Sequence, residues 1–131
     1  MEPRSKHFRK RDAILTYLRQ TDAHPSAETV YAGLKQEMPD ISLGTVYRNL
    51  SLFKEQGLIQ SLGSVQGVER FDGNVAPHVH FVCNSCGCIR DLHSMQIPQD
   101  LTTQAATLAR ATIHQCQLTF TGECDDCAPV V

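Results

Sequence analysis

The stretch Cys83-Asn84-Ser85-Cys86 is matched, across residues 87–123, by a second stretch, Cys124-Asp125-Asp126-Cys127. Two Cys-x-x-Cys pairs can supply four thiolates to one ion, and zinc prefers four thiolates in a tetrahedral arrangement. Each two-residue spacer lets a tight turn present both sulfurs to the same ion. The pattern therefore predicts a structural zinc site formed by Cys83, Cys86, Cys124 and Cys127. Two disulfides and a thioredoxin-like redox pair are the alternatives.

The expected compartment favours zinc over disulfides. The first residues lack the apolar core and cleavage pattern of a signal peptide, and no apolar run reaches transmembrane length. We therefore expect a cytoplasmic protein with no membrane partner. Cytosolic thiols stay reduced, so paired cysteines there bind metal more often than they form disulfides. No βαβ pattern surrounds either pair, which argues against thioredoxin chemistry.

Composition and charge leave the function open. The 131 residues could form one domain or two small ones, and they are 41% hydrophobic but only 6% aromatic. Two small domains would have small cores, so a bound zinc ion would help to stabilise one of them. Residues 1–77 hold 10 Lys and Arg against 9 acids, net +1, and residues 78–131 hold 2 against 5, net −3. A basic cluster near the start permits nucleic-acid binding, although such clusters are often only solvated helix starts. It consists of Arg4, Lys6, Arg9, Lys10 and Arg11.

The first half predicts three helices, at residues 5–20, 27–36 and 43–56. Ser26 and Ser42 should cap the second and third helices, and Gly57 suits the position after the third. The first helix should bury the side chains on one face, namely Phe8, Ala13, Ile14, Tyr17 and Leu18.

A short hairpin should follow, with strands at residues 58–62 and 68–71 and a loop at 63–67. Three helices followed by a hairpin are the order of a winged helix-turn-helix, in which the third helix enters the major groove of DNA. Thr45, Tyr47 and Arg48 are then the candidate DNA contacts. A solvated helix face in an ordinary helical domain is the alternative.

The second half predicts a small α+β domain pinned by zinc. We expect a DNA-binding domain at 1–72, a linker at 73–77 and a second domain at 78–131. Within the second domain, the patterns predict strands at 78–82, 89–92 and 112–121 around the zinc turn. A helix at 98–109 should bury three side chains, Leu101, Ala105 and Leu108.

A second group of candidate ligands surrounds the predicted strand at 78–82. His78 and His80 alternate along it and so share one face, Asp91 lies on the returning strand and Asp72 just precedes the linker. Imidazoles and carboxylates suit iron(II) or manganese(II), with zinc as a further candidate. Two surface histidines beside ordinary acids are the alternative. By default His24, before Pro25, would be a loop histidine.

Four stretches together resemble the ferric uptake regulator family over roughly residues 5–127: HPSAE at 24–28, TVYRNL at 45–50, RFD at 70–72 and HVHFVCNSCG at 78–87. Members of this family are dimeric, metal-dependent repressors. The resemblance implies a homodimer whose second domain is the dimerisation domain. It also implies a double-stranded DNA operator with an inverted repeat.

Within the family the chain resembles the peroxide-sensing repressors. Asp91 stands where iron and zinc sensors usually carry Glu, and Val79 stands where iron sensors often carry an acid. The resemblance implies a regulatory iron(II) or manganese(II) and iron-catalysed oxidation of a ligand histidine, His24 or His78, by hydrogen peroxide. The alternative is a family member that senses iron, zinc or manganese availability. The implied ligands of the regulatory metal are His24, Asp72, His78, His80 and Asp91.

Two cysteines depart from the family pattern. Cys88 occupies a position that is usually not cysteine, and Cys116 stands where many members have a histidine of an additional metal site. Both thiols are either inert or redox-active. His93 and His114 have no assigned role.

A zinc enzyme is disfavoured. Four thiolates leave zinc no open position for water, as a hydrolase or deaminase would need. The deaminase signature H-x-E…P-C-x-x-C is also missing. We therefore expect a regulator and not an enzyme.

Overall fold

The computed structural model describes residues 6–128, without the side chains of Lys6 and His7. Arg4 of the basic cluster and residue 5, where the first helix was expected to begin, lie outside these residues. The contacts divide the chain into two compact units, one up to Val75 and one from Ala76. Within residues 6–128, no helix is long and apolar enough to cross a membrane. The elements are α1 (Lys6–Gln20), α2 (Ala27–Leu34), α3 (Leu43–Glu55), β1 (Gln60–Val65), β2 (Val68–Asp72), β3 (Val79–Cys83), β4 (Ile89–Leu92), α4 (Gln99–Ala109) and β5 (Leu118–Gly122).

The predicted capping residues mark the starts of α2 and α3 and the end of α3. The Ser26 hydroxyl accepts the N–H of Thr29 at 3.2 Å, and the Ser42 hydroxyl accepts that of Thr45 at 3.1 Å. Both predicted N-caps are therefore confirmed. Gly57, just beyond the end of α3, has φ +75°, which confirms its predicted position because the left-handed region favours glycine.

These helices enclose the core of the first unit. The expected inward face of α1 is correct for Ile14 and Leu18, which are buried, but wrong for Phe8, which is 56% exposed. The core begins at Ala13, more than one helical turn beyond Phe8. The buried core residues are Ile14, Leu18, Ala27, Val30, Leu34, Ile41, Val46, Leu50, Phe53, Ile59 and Phe71.

The hairpin after α3 differs from the predicted one. β1 begins at Gln60 and extends to Val65, so the expected five-residue loop is a two-residue turn at Gln66 and Gly67. These residues have φ values of +53° and +82°, as in the tight turns that match strand twist. Three helices followed by this antiparallel hairpin make the first unit a winged helix-turn-helix.

A three-stranded sheet of order β4-β3-β5 organises the second unit, so the fold class is α+β. β4 has its predicted bounds, whereas the last strand is shorter than expected, since it begins at Leu118. β5 pairs in parallel with β3, from Leu118 opposite Val79 to Gly122 opposite Cys83. All five residues of β5 therefore pair with the five residues of β3.

The predicted burial of α4 is wrong. Leu101 is 42% and Leu108 84% exposed, Ala105 is exposed too, and α4 has no buried residue. The amphipathic pattern correctly marks an apolar face, but nothing in the described chain covers it. An apolar face of this kind is typical of an interaction surface.

We predict that Ser42→Ala lowers the free energy of unfolding of the first unit by about 1 kcal/mol, because the N–H of Thr45 loses its acceptor. Urea unfolding monitored by circular dichroism measures the effect. Ser51→Ala, at an exposed position within the same helix, is the matched control and should change stability much less. Equal effects of the two substitutions would contradict the capping role.

Candidate metal centres and nucleic-acid interface

One group of thiols gathers where β3 and β5 end. The sulfur atoms of Cys83, Cys86, Cys88 and Cys124 all lie within 4.8 Å of one another. The Cys86 and Cys124 sulfurs are 3.8 Å apart. A zinc tetrahedron with Zn–S bonds of about 2.3 Å has sulfur–sulfur edges of about 3.8 Å. The cluster therefore fits a structural zinc ion.

Backbone donors prepare one of these sulfurs to bind a cation. The Cys83 sulfur is buried and accepts the N–H groups of Cys86 and Cys124, each at 3.4 Å. These two donors lower the pKa of Cys83 to about 6. Hydrogen bonds to the charged form favour that form, so this sulfur is readily held as the thiolate that zinc binds.

The structure adds a thiol that spacing did not predict. Cys88 belongs to the four-sulfur group, and burial raises its pKa to about 11. The predicted ligand Cys127 lies outside that group but contacts the Cys124, Cys86 and Cys83 thiols, and its contact with Cys124 raises its pKa. We call these five residues together the thiol cluster.

The first unit holds two candidate ligands of the second metal. Nε2 of His24 lies 3.4 Å from Oδ2 of Asp72, and both side chains are buried. Oδ1 of Asp72 accepts the N–H of Asn74 at 2.8 Å, which orients the carboxylate. We call His24 and Asp72 the first-unit pair.

Backbone contacts fix the position of this pair. Arg70 donates from Nε to the carbonyl of His24 and from Nη2 to that of Ala23 at 2.9 Å. His24 has φ +52°, a conformation that the surrounding contacts must hold. Gly73 follows Asp72, and a Cβ atom on it would lie 2.5 Å from the Leu18 carbonyl oxygen. The end of α1 can therefore lie this close to the backbone at residue 73 only because that residue is glycine.

The second unit holds the other three candidates, His78, His80 and Asp91, which we call the second-unit set. Oδ1 of Asp91 lies 3.1 Å from Nε2 of His78 and 3.3 Å from Nε2 of His80. Cross-strand pairing of His80 with Asp91 produces this arrangement. Nδ1 of His78 donates to the Ala76 carbonyl at 2.7 Å, which directs Nε2 toward the carboxylate.

His93 is a neighbour that the sequence did not assign. Its Nε2 lies 3.6 Å from Oδ2 of Asp91, and its ring stacks on His78 at 5.5 Å. It lies two residues after Asp91, a spacing that could have suggested this proximity. Imidazole nitrogens and carboxylate oxygens form a mixed donor set, so the His/Asp residues fit a regulatory divalent metal such as iron(II) or manganese(II).

The three candidate DNA contacts lie together near the start of α3. Tyr47 and Arg48 are exposed and Thr45 is half-buried. Arg48 Nη2 donates to the Thr45 hydroxyl at 3.1 Å, and the Tyr47 hydroxyl donates to Glu28 at 2.5 Å, which lowers the pKa of that carboxyl. Both long side chains are therefore hydrogen-bonded to neighbouring side chains at the exposed surface near the start of α3.

The hairpin is joined to the same helix. Nζ of Lys54, in α3, lies 3.1 Å from Oε2 of Glu69, in β2. The Ser61 hydroxyl and Lys54 together lower the pKa of Glu69, so its carboxylate remains charged. The polar surface of the first unit therefore extends from α3 onto the hairpin.

Known proteins share this sequence and fold. The sequence pattern of the Ferric uptake regulator family matches residues 4–121. The peroxide-responsive repressor PerR of Staphylococcus epidermidis is 34% identical over 119 residues, which cover 90% of this chain and 78% of the relative. The peroxide operon regulator of Bacillus subtilis is also 34% identical, over 91% of this chain and 81% of its own. The solved peroxide stress regulator of Campylobacter jejuni has a TM-score of 0.80 and 27% identity, covering 93% of this chain and 91% of its own.

We predict that Cys83→Ser removes the bound zinc and unfolds the second unit, because structural zinc in small domains contributes on the order of 10 kcal/mol to folding. Elemental analysis gives the zinc content, and hydrogen exchange by mass spectrometry follows each unit separately. Cys116→Ser changes a cysteine outside the thiol cluster and should retain both zinc and protection. A Cys83→Ser protein that lacks zinc but keeps native protection would show that the metal is not structural.

Proposed function

The chain belongs to the ferric uptake regulator family, whose members are metal-dependent regulators that bind DNA as dimers, and from this premise we propose that it is a transcriptional repressor that senses hydrogen peroxide. The observation that carries the proposal is the second-unit set, in which the short carboxylate of Asp91 meets two imidazoles. Two relatives at 34% identity have names that refer to peroxide, which supports peroxide as the proposed signal.

We infer that the zinc ligands are those predicted from the two Cys-x-x-Cys pairs: Cys83, Cys86, Cys124 and Cys127. The regulatory metal would take His24 and Asp72 from the first-unit pair and His78, His80 and Asp91 from the second-unit set. The internal contacts of the two groups support this inference, since each holds its nitrogen and oxygen donors a few ångströms apart. An ion held by both units favours the conformations in which their ligands meet, so metal binding shifts the population toward a DNA-binding form.

Peroxide sensing follows from the histidines in this set. Iron(II) held by these residues would catalyse the reaction with hydrogen peroxide, and the imidazole itself would be the group that is oxidised. The net change on the chain is the insertion of one oxygen atom into the ring of His24 or His78, with the second peroxide oxygen leaving as water. An oxidised ring is a poorer ligand, so the metal-bound population falls and repression ends.

The proposed partners are a second copy of the chain and double-stranded DNA. We assign residues 1–72 to DNA binding, 73–77 to the linker and 78–131 to dimerisation. We also propose that the protein is cytoplasmic, where its DNA target would lie. The exposed leucines of α4 and the half-exposed Phe120 of β5, an outer strand of its sheet, supply apolar surface for the homodimer. A two-fold symmetric dimer reads an operator with an inverted repeat.

The second candidate is a regulator of the same family that senses iron, zinc or manganese availability. The His/Asp donors favour it too, because nitrogen and oxygen ligands accept all three metals. An enzymatic role is not proposed, since a four-thiolate zinc ion has no open position.

We predict that Arg48→Ala weakens operator binding by roughly 1–3 kcal/mol if its guanidinium contacts a base edge. Fluorescence anisotropy with operator and with unrelated DNA measures this effect, which should be smaller for unrelated DNA. Arg19→Ala, at the exposed end of α1, is the control for loss of one positive charge. An equal loss on both DNAs would make Arg48 a phosphate contact.

We predict that Arg70→Lys weakens manganese(II) binding roughly 10–100-fold, the usual effect of losing a residue that orients a ligand. Lysine cannot reproduce the two parallel donors that hold the His24 and Ala23 carbonyls. Titration followed by electron paramagnetic resonance measures the affinity, with Arg19→Lys as the control. Unchanged affinity would show that this contact does not position His24.

The peroxide experiment tests the proposed function itself. Iron(II)-loaded protein treated with hydrogen peroxide should gain the mass of one oxygen atom on a peptide containing His24 or His78 and lose DNA binding. The manganese(II) form should resist, and Asp91→Glu should keep metal-dependent binding with a weaker peroxide response.

Two other outcomes would reject it. Oxidation confined to Cys88 or Cys116 would indicate a thiol-based sensor. DNA binding that follows metal concentration, with no oxidation of the chain, would favour the metal-availability regulator.

A further inference from the structure

The thiol cluster contains one sulfur more than a tetrahedral zinc ion needs. Cys83, Cys86 and Cys124 lie in the four-sulfur group and also contact the Cys127 thiol. Cys88 and Cys127 each contact the thiols of Cys86 and Cys124. Two cysteines are therefore candidates for a single remaining position in the zinc shell.

Geometry makes Cys88 a credible ligand. Its sulfur lies within 4.8 Å of those of Cys83, Cys86 and Cys124, and small side-chain rotations contract such a group to the edges of about 3.8 Å that zinc requires. Cys127 is the ligand that spacing predicts, yet it lies outside this four-sulfur group.

The backbone holds the two competing cysteines in different ways. The carbonyl of Cys88 accepts the N–H of Cys83 at 2.9 Å, and Gly87, with φ +75°, turns the chain back toward the cluster. Cys127 lies in a turn after β5, where its N–H donates to the Cys124 carbonyl at 3.0 Å. Cys88 is thus fixed by the β3–β4 hairpin itself.

We propose that Cys88 is a zinc ligand interchangeable with Cys127, so that five thiols share four coordination positions. The exchange is balanced. The zinc–sulfur bond to one of these cysteines breaks as the bond to the other forms, and the proton of the incoming thiol passes to the departing thiolate. The charge of the site does not change. The unit then keeps its zinc when either cysteine is chemically modified.

Alkylation of the native zinc-loaded protein tests the proposal without any substitution. Brief iodoacetamide treatment followed by fragment-ion mass spectrometry locates the label, with Cys116 as the reference thiol outside the cluster. Zinc-retaining molecules should carry one label on either Cys88 or Cys127, while Cys83, Cys86 and Cys124 stay protected. Labels on Cys127 alone, with Cys88 fully protected, would make Cys88 a fixed ligand and would overturn the interchange. Complete protection of Cys127, or labels on both cysteines of one zinc-retaining molecule, would overturn it.

Substitutions provide the second test. Cys127→Ser and Cys88→Ser should each retain about one zinc ion per chain, and the double variant should lose it, because a structural site needs four ligands. Cobalt(II) in place of zinc should give the four-thiolate charge-transfer intensity in each single variant. Cys116→Ser is the matched control.

The inference rests on the zinc site of the proposed function, and the two can fail separately. Zinc loss from Cys127→Ser as complete as from Cys83→Ser would overturn the interchange and leave the zinc site in place. A wild-type protein purified without zinc would overturn the zinc site itself.

Discussion

The folding of the second unit depends on the hydrogen bonds that the Cys83 sulfur accepts from the surrounding backbone. This sulfur lies at the end of the central strand and accepts N–H groups from Cys86 and Cys124, which belong to separate segments. The hydrophobic contribution within the unit is small, because α4 has no buried residue. Zinc bound at these sulfurs therefore supplies folding energy that a small core cannot. The same strand then presents His78 and His80 in the geometry that ligation requires.

The proposed regulation joins two locally rigid groups. Asp91 is held by cross-strand pairing with His80, and His24 by the Arg70 contacts to its backbone. Each group is held by contacts within its own unit, so in the proposed regulation the free energy of binding a shared ion would be available to shift the population of conformations. Oxidation of a ligand histidine would weaken binding of the ion and so remove this population shift. In this proposal, the bonds to one metal ion would couple the sensing chemistry to the DNA response.

Local signals predicted much of this structure. The caps Ser26 and Ser42 depend on residues close in sequence, and both predictions are confirmed. The two Cys-x-x-Cys spacings predicted four zinc ligands, of which Cys83, Cys86 and Cys124 lie in the four-sulfur group. Leu108 was misplaced because periodicity marks an apolar face without identifying what covers it. The length of β5 depends on parallel pairing with a strand distant in sequence, and the place of Cys88 depends on the left-handed turn at Gly87. Neither the pairing partner of a strand nor a left-handed turn leaves a periodic pattern in the sequence.

The central claim is that one regulatory ion takes ligands from both units. Pulsed electron paramagnetic resonance of the manganese(II)-loaded protein, with histidine nitrogen isotopically labelled, tests it most directly. Our account predicts that His24→Ala and His80→Ala each remove a histidine nitrogen coupling and weaken manganese binding, whereas His114→Ala changes neither. A His24→Ala protein with the full wild-type couplings and affinity would contradict it.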